Sequence, residues 1–246
     1  MLPIRDHNPS RRTPYVTYLL IAINIAVFAW QYGALQDVRS SNQFLYDYAF
    51  WPANFDQGEG MTGFFTHMFL HGGFLHLAGN MLFLWIFGDN MEDEMGPIPF
   101  AIFYVVSGFA AAYIQYLPNP SATIPMVGAS GAIAGVMGGY LLLYPKARVD
   151  ILIFLVIFIR ILPIPSFIVL SIWMALQVFN GLGSDLNGGG TAYWAHVGGF
   201  IAGFIMTVPV WLRRGATQFW NRTAGHPPHP ETQYTASNVP LIRRNK

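Results

Sequence analysis

No cysteine occurs in the 246 residues, and the basic side chains exceed the acidic ones by a single charge. The first absence excludes a disulfide framework, though it leaves the redox compartment open. The second removes the global basic field that would suit a nucleic-acid partner. Charge of either sign is scarce, at 10% of residues, where a soluble domain carries about a quarter. With 53% of its residues hydrophobic, the chain cannot turn a polar face to water on every side.

Long intervals hold no Lys, Arg, Asp or Glu at all: 13–36, 60–88, 95–145, 161–184 and 186–212. Each is long enough to cross a bilayer. The third can cross twice, broken by the turn-rich LPNPSATIP. The stretch 151–159 is apolar but short and hemmed by Asp150 and Arg160, which fits an interfacial or re-entrant piece. The expectation is an all-α polytopic membrane protein of six transmembrane helices. Residues 1–13 form a cytoplasmic leader, 14–214 the membrane domain, and 215–246 a cytoplasmic tail, rich in Pro, His, Thr and Asn, that reads as disordered. The first apolar run lacks a small-residue cleavage site and exceeds a signal core, so it reads as retained.

Lys and Arg set the orientation. With both termini in the cytoplasm, Arg5, Arg11, Arg12, Lys146, Arg148, Arg160, Arg213, Arg214 and Arg222 lie inside and only Arg39 outside, as expected of a prokaryotic plasma membrane protein. The outer connection 34–73 carries Phe44, Tyr46, Tyr48, Phe50, Trp51, Phe64 and Phe65 and reads as a loop at headgroup level. The two halves carry no inverted sequence repeat, which disfavours a transporter.

Polar side chains inside apolar spans are costly and mark function by default. His76, Asn80, Ser130 and His196 all fall near the outer, N-terminal ends of their spans, so they share a depth. A serine hydroxyl needs a base to take its proton, and imidazole is the common one. With no Asp or Glu in either span, Ser130 and His196 would act as a dyad without a carboxylate. Gly131, Gly135 and Gly139 repeat every four residues, as do Ala195, Gly199 and Gly203, so two small-residue stripes allow the backbones to close. The helix start at Ser130 favours an anion, and His76 and Asn80, at i and i+4, can add donors for an oxyanion.

Blander readings stand beside these. GxxxG is a common packing motif, a lone membrane serine usually bonds its own helix, His76 and Asn80 could link helices, and His67 and His71 fit loop anchors better than ligands. GASGA lacks the second glycine of a hydrolase elbow, and no HExxH is present. A zinc trio of His67, His71 and His76 is the weaker alternative.

FTHMFLHGGFLHLAGNM (65–81), FGDNMEDEMG (87–96), GASGAIAGVMGGY (128–140) and WAHVGGFIAG (194–203) together resemble the rhomboid intramembrane serine proteases, Gly128 leading the GxSG motif. The resemblance implies a six-helix bundle with Ser130 as nucleophile, His196 as base, and His76 and Asn80 stabilising the oxyanion. It implies single-pass transmembrane protein substrates cut in or near the lipid bilayer, no metal or cofactor, and a lateral gate over 167–181. Two departures stand out: Thr62 and Gly63 where many members carry Trp-Arg, and Ala134 where some place a tyrosine that stacks on the base. A non-catalytic rhomboid-like protein that binds membrane clients is the alternative function.

Overall fold

The first apolar interval forms one helix whose N-terminus is capped from elsewhere in the chain. In the computed structural model, which describes residues 2–8, 10–34, 37–55, 57–155, 158–185, 189–223 and 225, the strand β1 (Leu2–Asp6) precedes α1 (Tyr15–Ala34). α1 has no acidic residue in its first turn. The carboxylate of Glu92 instead accepts from the Val16 and Thr17 amides, at 2.9 and 2.8 Å, and from the Thr17 hydroxyl. A buried negative charge there answers both the unpaired amides and the positive end of the dipole.

The connection expected to be a headgroup-level loop is itself helical. It contains α2 (Val38–Tyr48), α3 (Pro52–Phe55), α4 (Met61–Thr66) and one 3-10 turn, His67–Phe69. Asp37 caps α2 through the Arg39 and Ser40 amides. Much of its aromatic content packs inward: Phe50 is fully buried and meets Phe55 and Phe64 edge-on. Ring pairs of this kind contribute about 0.5–1.5 kcal/mol beyond the area they bury.

Next come α5 (Phe74–Met95), α6 (Pro97–Tyr116), α7 (Ser130–Leu143), β2 (Arg148–Leu155), β3 (Phe158–Pro165), α8 (Ser166–Gly183), α9 (Tyr193–Arg213) and α10 (Thr217–Thr223). Four of these helices, α1, α6, α8 and α9, are long and apolar enough to cross a membrane. A fifth is added if α5 counts with the segment Met61–Phe69, from which it bends by 79°. The protein is therefore a mostly helical, multi-pass membrane protein. α7 has only 14 residues, or about 21 Å of rise, against a hydrocarbon core of about 30 Å. It is sheathed by protein almost throughout, as buried Gly131 to Tyr140 attest.

Two expectations need correction. α5 does not stop at Gly88 but continues through four acids, because they have partners: Glu92 caps α1 and Glu94 pairs with Arg214 at 2.6 Å. Nor is the chain all-α. β1, β2 and β3 form an antiparallel sheet in that order, taking up the piece read as re-entrant and the first residues of the expected fifth span. Val149 and Ile151 turn inward from β2 and are buried, and Pro163 and Pro165 delay the helix to Ser166. The leader joins this sheet through Arg5 and His7, both held on Asp150 at 2.8 and 2.7 Å. The tail expected to be disordered from residue 215 is ordered at its start, where α10 buries Phe219 and the Trp220 indole donates to the Leu142 carbonyl; beyond residue 225 it lies outside the described residues, as do 186–188 at the start of the last interval.

Asp6 links the sheet to the bundle, its carboxyl accepting from the Tyr140 hydroxyl of α7 at 2.8 Å and from the Asn90 amide at 3.1 Å. Burial, reinforced by the neighbouring Asp89 charge, pushes the Asp6 carboxyl from 3.8 up to about 8. The folded state then holds a proton that the unfolded chain releases. Its contribution is complete below the unfolded value, shrinks as pH rises, and is gone above about pH 8. Thermal unfolding in detergent should give a lower Tm at pH 9 than at pH 6, with a flatter dependence in Asp6→Asn. A parent Tm that rises over that window would contradict this.

α7 is the hub of the bundle, and it meets α9 backbone to backbone. A methyl group built on Gly199 would run into the Gly131 carbonyl, and one on Gly203 into the Gly135 carbonyl. The two stripes read from the sequence do face each other. Gly138 of α7 adds a third such approach, to the Phe200 carbonyl.

Candidate active site

The N-terminal ends of α5, α7 and α9 meet at the end of the bundle away from the sheet, around a cavity of about 800 Å³. All four singled-out polar residues line it. Their placement follows from helix starts: His76 is in the first turn of α5, Ser130 opens α7, and His196 is in the first turn of α9. The loop before α7 is stitched to the helical connection, since Phe50 and Met126 exchange backbone bonds and the Gly128 amide donates to the His67 carbonyl at 2.9 Å. That stitching fixes where α7 begins.

Ser130 Oγ lies 2.7 Å from Nε2 of His196. The far ring nitrogen, Nδ1, lies 2.8 Å from Oε1 of Gln177 on α8, and the Trp173 ring packs on the imidazole at 5.6 Å between centroids. The α9 terminus is held by Gln115 of α6, whose Oε1 accepts from the Ala195 amide at 3.0 Å. An aromatic partner for His196 therefore comes from α8, although Ala134 occupies the position where the resemblance put a tyrosine.

His76 and Asn80 stand across the cavity on α5. The Gly72 amide donates to Nδ1 of His76, which leaves the ring proton on Nε2. That atom borders Gly128: a Cβ on Gly128 would sit 2.9 Å from it and 3.6 Å from Ser130 Oγ. With φ of 133°, Gly128 also occupies backbone space that L side chains rarely adopt. Among the described residues the buried Nδ2 donor of Asn80 has no hydrogen-bond partner, an arrangement that usually has a functional reason. Gly128→Ala should lower the rate of labelling by a fluorophosphonate about 100-fold, the cost typical of a disturbed oxyanion site. Labelling at the parent rate would remove His76 and Gly128 from the reaction.

Of the two histidines read as loop anchors, His67 anchors through its ring, whereas His71 is held by its backbone, and among the described residues its buried ring nitrogens have no hydrogen-bond partner. His67 Nδ1 donates to the Gly63 carbonyl at 3.0 Å, and Gln31 of α1 clips both backbone groups of His71, at 2.7 and 3.1 Å. At the position where the resemblance put Trp-Arg, Gly63 lies directly against the Ala49 carbonyl. Among the described residues no three His, Asp or Glu side chains converge as metal ligands do. Gln31, Gln115 and Gln177 escaped the sequence reading. Each is an uncharged polar residue in an apolar span, and the rule that singled out Asn80 applies equally to them.

A family model described as the rhomboid domain matches residues 58–213. Rhomboid protein 1, mitochondrial, of Saccharomyces cerevisiae is 29% identical over 77% of this chain and 51% of its own length. RHOMBOID-like protein 4 of Arabidopsis thaliana is 34% identical over 58% of the chain and 32% of its own length. Rhomboid protease AarA of Providencia stuartii is 28% identical over 78% of the chain and 71% of its own length. The chain thus spans about half of the yeast relative and a third of the plant one. Because the matched region carries α5, α7 and α9 with the cavity between their ends, and makes up more than half of the sequence, the chain belongs to the rhomboid family.

Proposed function

We propose that the protein is an intramembrane serine endopeptidase that cleaves single-pass transmembrane proteins through an acyl-enzyme on Ser130. The observation that carries this reading is the 2.7 Å contact between Ser130 Oγ and His196 Nε2, made between two helices at a water-accessible cavity. His196 takes the hydroxyl proton as Oγ bonds to the scissile carbonyl carbon. The oxyanion that forms is met by the His76 Nε2–H, the Asn80 amide and the backbone amides at the α7 terminus. Collapse breaks the C–N bond, and His196 returns its proton to the leaving amine. Water, deprotonated by His196, then attacks the ester carbon; the C–Oγ bond breaks and His196 returns its proton to Oγ, which regenerates Ser130.

In this reading α1, α5, α6, α7, α8 and α9 are the six crossings. The sheet and its basic residues face the cytoplasm, and the cavity opens to the opposite side. The short α7 would leave Ser130 below the membrane surface, where a substrate helix must unwind to reach it. The chemistry needs no cofactor.

The test is cleavage of single-pass reporters, with small residues and a weak helix near one end, in vesicles that also contain the purified protein. Two fragments should appear with the parent and none with Ser130→Ala. Reporters that co-purify uncleaved with parent and variant alike would favour the client-binding alternative.

A further inference from the structure

Gln177 reaches the base from α8, whose other face is apolar and exposed, with Ile172, Leu176, Phe179 and Leu182 all at least half accessible. Gln177 itself is buried, at 8%. Its amide has one orientation that suits both neighbours. The Nε2 group donates to the Trp173 carbonyl one turn earlier at 3.2 Å, so Oε1 is the atom facing His196 Nδ1 at 2.8 Å. An amide oxygen only accepts, and Nδ1 must therefore carry the ring proton. A neutral imidazole protonated there presents its lone pair at Nε2, the atom in contact with Ser130 Oγ. Donor and acceptor directions are thus fixed along the whole row, from the Trp173 carbonyl through Gln177 and His196 to the serine hydroxyl.

We infer that Gln177 is a positioning residue for the reaction: it holds His196 in the tautomer and ring orientation that can accept the Ser130 proton. The inference rests on the proposed role of that pair as nucleophile and base. Gln177 occupies the place that a carboxylate takes in a Ser-His-Asp triad. A neutral amide does so without burying a third charge at membrane depth, where a carboxylate would be costly. When His196 takes up the serine proton, Nδ1–H remains donated to Oε1, and the bond strengthens as the ring becomes cationic. Trp173, one turn away on the same face, packs on the ring. Both supports come from α8, so motion of that helix away from α9 would remove them together and leave the base free to turn.

Two variants and one spectrum test this. Gln177→Met keeps length but removes the acceptor; Gln177→Glu keeps an acceptor and removes the donor to Trp173. Fluorophosphonate labelling of purified protein should slow about 10- to 100-fold in Gln177→Met, as for other residues that orient a reacting group. The slowing should lie in the maximal rate rather than in the half-saturating concentration, and Gln177→Glu should recover most of it. Histidine 15N resonances of the parent should place the His196 proton on Nδ1, and this signature should be lost in Gln177→Met. Labelling of Gln177→Met within about twofold of the parent, too small a change for a transition-state interaction, would overturn the inference. So would a proton on Nε2 in the parent, a measurement that stands even if the variant does not fold. A parent that never labels would refute the protease reading instead, while its spectrum still decides the role of Gln177.

Discussion

Ser130→Ala is expected to abolish both reporter cleavage and fluorophosphonate labelling, and His196→Ala to come close to doing the same. In a soluble serine protease, loss of either partner costs about six orders of magnitude, roughly as much as removing the whole triad. The same logic applies to a pair joined by one hydrogen bond of 2.7 Å: neither group transfers a proton without the other. The double variant should therefore be no slower than the worse single one, measured by labelling at high reagent concentration. Folding should not account for the loss. Ser130 opens its helix beside a cavity rather than filling a core position, and its removal should leave the Tm nearly unchanged. Labelling of His196→Ala at the parent rate would detach the histidine from the chemistry.

Gly199→Val should produce the largest effect on stability. A single methyl at that position already collides with the Gly131 carbonyl, which is backbone and cannot rotate away. α7 and α9 would have to separate, undoing the adjoining approach of Gly203 to Gly135 and of Gly138 to Phe200. The hydrogen bond between Ser130 and His196 spans the same crossing. Overpacking at a site with no room to relax belongs to the exceptional class of losses, above about 4 kcal/mol, enough to deplete folded protein. Gly33→Ala in α1 is the control, because among the described residues nothing beyond its chain neighbours lies within 4 Å of the added carbon. That change should be neutral or stabilise the helix by up to about 1 kcal/mol. Comparable melting curves for the parent and Gly199→Val would mean that the close crossing is not what holds the bundle.

The site was more legible than the scaffold around it, for a physical reason. A histidine or serine inside an apolar span is conspicuous, because lipid makes any polar group costly; His76, Asn80, Ser130 and His196 stood out on that ground, and all four line one cavity. Gln177 obeys the same rule but carries no charge and no reactive group, so it passed as filler among Ile, Leu and Phe. Helix ends were harder. α5 continues through Glu92 and Glu94 because these acids find partners on α1 and at Arg214, just past the end of α9, and charge-free intervals cannot register tertiary partners. The sheet was hidden because its strands come from a leader too short to read alone and from an apolar run, 151–159, in which no polar residue alternates with the apolar ones to mark a strand. Its register depends on pairing across more than 140 residues, as in Arg5 with Asp150, which no local pattern encodes.

Peptide mapping of the fluorophosphonate-treated protein by mass spectrometry bears most directly on whether Ser130 is the activated nucleophile. One adduct is expected, on the peptide containing Ser130, absent from His196→Ala and reduced in Gln177→Met. An adduct on any other serine, or one on Ser130 that persists at full yield without His196, would contradict it.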